Sequence, residues 1–147
     1  GPGDNYDLKN SHVLPALLRK FHEAKERGDD EVIVWGTGSP LREFMHCDDL
    51  ADALVFVLKD YSGYEHLNIG SGHEVSIKAL AEIIAEVVDY DGRLTWDTSK
   101  PDGTPRKLLD CSSLTEIGWQ NSRTLRDGIM ETYAEWCTKK NSSIDGG

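Results

Sequence analysis

Within nine residues, Ser99-Lys-Pro-Asp-Gly-Thr-Pro-Arg-Lys107, the sequence gathers three cations, one carboxylate, two prolines and a glycine. Proline fixes φ and glycine relaxes it, so the stretch reads as a shaped loop. Cations held in place before a ligand arrives suit a multiply charged oxygen anion, and the first chemistry to consider is phosphate or diphosphate binding. The competing reading is a solvated surface loop that is merely basic. A second group lies upstream. Trp35 ends a β-branched run at a glycine-rich turn, and Arg42 follows shortly after it. An aromatic face and a guanidinium at that separation can sandwich a base and grip a phosphate; otherwise Trp35 is core and Arg42 is surface. His12 stands where a loop rich in Gly, Asp and Asn gives way to helical spacing. There it can meet a substrate admitted by the loop, or be an ordinary polar first-turn residue.

Other chemistry is less well supported. Gly36-Thr-Gly38 and Gly70-Ser-Gly72 each resemble half of a dinucleotide fingerprint, but neither has the third glycine at the right offset, so turn geometry is the better account. His12, His22, His46, His66 and His73 are not spaced with a cysteine or with one another as a metal pair, so no metal site is expected. No nucleophile-elbow sequence is present.

The elements that must position these residues alternate between helical and extended character. Leu14, Leu17, Leu18, Phe21 and Ala24 recur at helical spacing from Ser11, with Gly28 as the stop. Val32–Trp35 reads as a strand, and Leu41–His46 as a half-buried one, joined to the first by a hairpin or a longer connection. Asp48 is the expected N-cap of a helix carrying Leu50, Ala53, Leu54, Val57 and Leu58. His66–Ile69 reads as a short strand before a glycine-rich turn, and a helix from Ser76 carries Ile77, Leu80, Ala81, Ile84, Val87 and Val88 on one face. Arg93–Trp96 is a further strand. Ser113-Leu-Thr-Glu116 fits a capping box ahead of a short helix stopped by Gly118. Leu125, Ile129, Tyr133, Trp136 and Cys137 form the stripe of a last helix, and residues 138–147 read as a frayed polar tail. The fold class is α/β, with too few strands for a complete doubly wound sheet.

The bulk numbers fit one globular domain: 147 residues, 38% hydrophobic and 29% charged. A net charge of −10 argues against nucleic acid or an anionic membrane surface as a general partner. No apolar run approaches the ~20 residues that span a bilayer. Cys47, Cys111 and Cys137 are odd in number and far apart, so reduced thiols in a reducing, cytoplasmic compartment are the simplest reading. The chain opens on Gly1-Pro-Gly-Asp4 without a methionine, and it reads as part of something longer.

Six stretches together resemble the GDP-L-fucose synthases, NADP-dependent epimerase-reductases of the extended short-chain dehydrogenase group. They are Gly1-Pro-Gly-Asp-Asn5, Asn10-Ser-His-Val-Leu-Pro-Ala-Leu-Leu18, Val34-Trp-Gly-Thr-Gly-Ser-Pro-Leu-Arg-Glu-Phe44, His46-Cys-Asp-Asp-Leu50, Asn68-Ile-Gly-Ser-Gly72 and Ser99-Lys-Pro-Asp-Gly-Thr-Pro-Arg-Lys-Leu108. The last is the most specific; Arg-Glu-Phe-x-His-x-Asp-Asp is shared widely among sugar-nucleotide epimerases and dehydratases. The resemblance implies that residues 1–137 are the C-terminal substrate-binding portion of a Rossmann-type extended short-chain dehydrogenase fold, keeping an edge of its parallel sheet. The implied reaction converts GDP-4-keto-6-deoxy-D-mannose to GDP-L-fucose: two carbons beside the ketone are epimerised, and NADPH then reduces the ketone. His12 matches the general acid for epimerisation, which also lies against the cofactor. Trp35 and Arg42 match residues on the GDP portion, and Lys107 a basic residue on the nucleotide sugar. Asp102 lies in the same loop, where contact with the guanosine or sugar is expected. Lys20 stands where some members carry Arg, keeping the charge and losing the bidentate fork. The family's Gly-x-x-Gly-x-x-Gly fingerprint and its Tyr-x-x-x-Lys pair are absent, as are the helices through which the family dimerises. The implied alternatives are a nucleotide-sugar-binding module without catalysis, or another extended short-chain dehydrogenase acting on a sugar nucleotide.

Overall fold

The computed structural model describes residues 1–8 and 10–144, with side chains through residue 140. Helix α1 (Val13–Arg27) ends at Gly28, whose φ of 70° lets its amide reach back to Lys25 O. β1 (Glu31–Trp35) follows, then β2 (Leu41–Glu43), α2 (Cys47–Asp60), β3 (Glu74–Ser76) and α3 (Ile77–Val88). The chain continues through β4 (Arg93–Asp97), β5 (Arg106–Lys107), α4 (Ser112–Glu116) and α5 (Leu125–Ile144). β1 and β4 form a two-stranded parallel sheet in which Trp35 pairs with Asp97. β2 is the centre of a second sheet, antiparallel to β3 and parallel to β5.

One cluster holds most of the fold together. Leu17, Leu18, Phe21 and Ala24 of α1 meet Leu80, Ala81, Ile84 and Val88 of α3 over Val32 and Val34 of β1, with Ile129 of α5 closing the side. The alternation of β1 does the sorting: Val32 and Val34 face the helices, whereas Ile33 and Trp35 stand on the outer face. A smaller cluster joins Ala53, Leu114 and Trp119, and the Trp119 indole N–H donates to Asp52 at 2.9 Å.

Several expectations are corrected. β1 and β2 lie in different sheets, so of the two connections considered the hairpin is excluded and the longer connection holds. β2 stops at Glu43 rather than running to His46. The N-cap of α2 is His46, whose Nδ1 accepts the Asp48 amide at 3.2 Å; Asp48 lies inside the first turn. Along α2 only Ala53 of the five stripe residues is fully buried, whereas Leu50, Leu54 and Leu58 are exposed. His66–Ile69 forms no ladder among the described residues, because a β-prone run becomes a strand only when a neighbour takes its main-chain bonds. Ser113–Glu116 lies within α4 instead of capping it; the Ser112 amide is met by the Asp110 carboxylate at 3.0 Å. The basic loop ends in strand β5. α5 runs on through residues 138–144 in place of a frayed tail, and 145–147 lie outside the described residues. No helix among the described residues is long and apolar enough to cross a membrane.

α5 is fastened to α1 by a titratable group. Nδ1 of His22 lies 2.8 Å from the Tyr133 hydroxyl, and Nε2 lies 3.2 Å from Glu26, which in turn holds Lys140 at 2.6 Å. Burial, followed by the Lys140 charge, lowers the His22 pKa; Glu26 and Glu23 oppose this without reversing it. The unfolded chain therefore binds the imidazole proton more readily than the folded one. The stability that the neutral ring contributes is complete above the ordinary value of about 6.5 and is lost as pH falls below it. Urea midpoints are expected to drop between pH 7 and pH 5.5, and His22→Gln is expected to flatten that drop. A midpoint that rises on acidification would contradict the assignment.

Candidate functional site

A cleft of about 400 Å³ opens where α1, the end of β1, β2 and the basic loop converge. Val13, Ala16 and Leu17 supply an apolar wall from α1, and Lys20 adds a cation one turn further along. The Lys20 ammonium donates to the Ile33 carbonyl, which fixes its position, and burial lowers its pKa. Trp35 closes the end of β1 with its indole 69% exposed, a large apolar surface with little protein over it. Arg42 enters from β2, its guanidinium held by the Leu41 carbonyl at 2.7 Å.

The basic loop supplies the remaining wall through Pro101, Asp102 and Gly103. Asp102 is engaged on both oxygens: Oδ1 accepts the Thr37 amide at 2.8 Å, and Oδ2 accepts the Thr37 hydroxyl at 2.7 Å. These bonds hold its carboxyl below the usual range and clamp the loop to the turn after β1. The turn requires its glycines. Gly36 and Gly38 have φ of 84° and 76°, and a Cβ at Gly38 would sit 2.6 Å from the Trp96 ring. The turn reading of Gly36-Thr-Gly38 thus has a concrete cause.

Lys20, Trp35, Arg42 and Asp102 therefore share one cleft. Lys107 pairs in register with Arg42 across β2 and β5, but does not line the cleft. His12 is the exposed N-cap residue of α1, next to the cleft residue Val13, and its ring makes no capping bond. The other loop cations divide. Lys100 reaches over Trp35, with Nζ 5.7 Å from the ring centroid, whereas Arg106 is drawn away into a 2.7 Å ion pair with Glu74.

Sequence reading overlooked two brackets. Thr37 is one. The other is Glu43, whose carboxylate accepts the Gly72 amide at 2.6 Å and the Leu109 amide at 3.2 Å. It thereby ties the second glycine-rich turn to the chain that leaves the basic loop. Glu43 is visible in sequence only as one member of the Arg-Glu-Phe motif. A third arrangement also differs from expectation: His46, Cys47 and Asp48 offer donor atoms within 4.8 Å of one another. The His46 Nδ1 lone pair is already taken by the Asp48 amide, and Arg123 lies 3.5 Å from Asp48 Oδ2.

The mixed α/β fold, with its cationic, aromatic-walled cleft, can be set beside known proteins. Residues 1–70 match the NAD dependent epimerase/dehydratase family. The chain is a homologue of the GDP-L-fucose synthases, within the extended short-chain dehydrogenase group. It is 63% identical over 139 residues to GDP-L-fucose synthase 1 of Arabidopsis thaliana, covering 95% of this chain and 43% of that protein. It is 44% identical to GDP-L-fucose synthase of Escherichia coli, covering 99% and 48% respectively. A gdp-l-fucose synthetase from Naegleria fowleri superposes with a TM-score of 0.89 at 28% identity, over 96% of this chain and 44% of that one, and a structure of that protein bound to NADP also matches. The chain thus spans somewhat under half the length of these relatives.

Proposed function

We propose that this chain is the C-terminal, GDP-sugar-binding portion of an NADP-dependent epimerase-reductase that converts GDP-4-keto-6-deoxy-D-mannose to GDP-L-fucose. The observation that carries the reading is the assembly of Lys20, Trp35, Arg42 and Asp102, from separate elements, around one cleft. Trp35 offers a face for the guanine, and Lys100 above it adds a cation to that end. Arg42 meets the diphosphate, with Lys107 on the neighbouring strand adding charge. Asp102, held by Thr37, keeps the loop closed over the nucleotide. His12, at the head of α1, is the acid that returns a proton to carbon during epimerisation.

NADP(H) is held elsewhere in this reading. The residues present do not form a cradle for a dinucleotide diphosphate. The Gly72 amide is spent on Glu43, and the turn from Gly36 to Gly38 faces the Asp102 carboxylate, which repels phosphate. The fingerprint and the Tyr-x-x-x-Lys pair are also missing from the sequence. No reductive step is therefore assigned to these residues, and the cofactor touches this portion at His12 alone. Dimerisation likewise uses helices outside it.

Calorimetric titration with GDP tests the reading. Binding is expected at or below about 1 mM, weakened by salt because cations carry much of it. Absence of binding at that concentration would count against a preformed site. The purified chain is expected to show no turnover of the keto-sugar with NADPH, and measurable turnover would overturn this division of labour.

A further inference from the structure

The parallel ladder between β2 and β5 is two rungs long, Leu41 beside Arg106 and Arg42 beside Lys107. Its second rung sets two cations side by side on one face, which is destabilising unless an anion lies against them. Arg106, one rung earlier, is neutralised by Glu74 at 2.7 Å, whereas Arg42 and Lys107 enter no ion pair among the described residues. Two rungs give little to set against that repulsion, since parallel ladders are the less stable kind. A side chain continues the ladder. Main-chain pairing begins with the Leu41 amide on the Pro105 carbonyl at 2.8 Å and stops at Lys107. Beyond it Glu43 takes over. Its Oε2 accepts the Leu109 amide at 3.2 Å, while Oε1 accepts the Gly72 amide at 2.6 Å and the Ser71 hydroxyl at 3.3 Å. Glu43 follows Arg42 directly, so it projects from the opposite face of β2. Arg42 lines the nucleotide cleft; the turn that Glu43 grips lines a separate groove. The grip demands glycine at position 70, where a Cβ would sit 2.6 Å from Glu43 Oε1.

We propose that Glu43 is a positioning residue for the anion: acting from the far face of β2, its carboxylate holds Lys107 level with Arg42, so that a diphosphate bound at Arg42 meets the charge of both. The inference rests on the function proposed above. It also gives the glycine-rich turn at 70–72 a role, as the anchor of that carboxylate. Glu43 touches no ligand itself. Its two oxygens are spent on two main-chain amides and a hydroxyl, all of them donors. A glutamine in its place turns an NH2 toward one of those donors and loses that arm of the bracket. An aspartate keeps the charge but is one methylene too short to reach Gly72 and Leu109 together. In either case Leu109 is released, and Lys107 two residues before it is no longer held against β2.

A double-mutant cycle on this chain tests it, read by calorimetry as affinity for inorganic diphosphate and for GDP. At low salt Glu43→Gln is expected to weaken both ligands about tenfold, and Lys107→Ala to weaken them by a similar factor. In the Lys107→Ala background Glu43→Gln is expected to add less than about twofold, because the cation it positions is gone. Glu43→Asp is expected to match Glu43→Gln, and the Leu109 amide to exchange faster in both variants. Where Glu43→Gln does not fold, Glu43→Asp carries the cycle. Losses that multiply across the two sites overturn the proposal, since Glu43 then supports the fold without acting through Lys107. Unchanged affinity in Glu43→Gln, or in Glu43→Asp with a fast-exchanging Leu109 amide, overturns it as well. A chain that binds neither ligand sinks the proposed function and this inference together, whereas GDP binding with multiplying losses sinks this inference only.

Discussion

Phe21→Ala is expected to cost about 3–5 kcal/mol of folding stability. Phe21 is fully buried, and its ring meets Tyr90 edge-on at 5.5 Å. Tyr90 is in turn anchored by its hydroxyl to the Asp29 carbonyl at 2.9 Å. The cavity left behind would be bounded by α1 on one side and by α3 and β1 on the other. These elements share one core, and neither helix can close inward without lifting from the strand. Thermal or urea unfolding reads the effect directly, with a melting shift on the order of 10 °C. A loss below about 1.5 kcal/mol would mean that the core collapses around the gap. The consequence reaches the cleft, because α1 carries Lys20 immediately before Phe21 and Leu17 one turn earlier. A helix loosened at Phe21 moves the wall against which a nucleotide would lie.

That coupling explains which parts of the structure were legible in the sequence. α1 was legible because its signals are local: an apolar repeat, and a glycine that can take positive φ at the stop. α3 was legible for the same reason, with the Ser76 hydroxyl accepting the Ala79 amide at 3.0 Å. The N-cap of α2 was misplaced because two acceptors, His46 and Asp48, stand two residues apart, and local chemistry alone does not rank them. His66–Ile69 was misread because strand formation depends on a partner, which no property of those four residues can reveal.

The site divides in the same way. Lys20, Trp35, Arg42 and Asp102 could be named one at a time from the resemblance, but spacing says nothing of their meeting, since β1 and β2 belong to different sheets. Two carboxylate brackets tie the loops around them, Asp102 to Thr37 and Glu43 to Gly72, and each is bonded to residues far away in sequence. Arg106 shows the converse. It counts as a phosphate ligand by composition, yet Glu74 claims it through a strand pairing that the sequence does not announce. Asp49 is visible in the sequence only as the last member of the Arg-Glu-Phe-x-His-x-Asp-Asp motif, which says nothing of its partners. Burial pushes its carboxyl up, but bonds from Arg123 and Ser122 outweigh that and hold it below the usual range.

Trp35→Ala separates the binding role of the cleft from its structural one. The indole is 69% exposed and contributes little to the core, so the variant should keep its stability within about 0.5 kcal/mol. Stacking of a base on an aromatic side chain contributes about 1–3 kcal/mol, and GDP binding should weaken roughly 5- to 150-fold. Competition with inorganic diphosphate distinguishes this loss from a loss of charge. Trp35→Ala leaves diphosphate affinity unchanged, because the ring meets only the base. Arg42→Ala weakens GDP and diphosphate together, by about 1.5–3 kcal/mol at low salt and less as salt rises. If Trp35→Ala lowers both equally, the indole acts by holding Lys100, whose ammonium lies 5.7 Å from its centroid, and the base must bind elsewhere. If neither variant changes GDP affinity, the cleft is not the nucleotide site, and the meeting of Lys20, Trp35, Arg42 and Asp102 would be a product of packing alone.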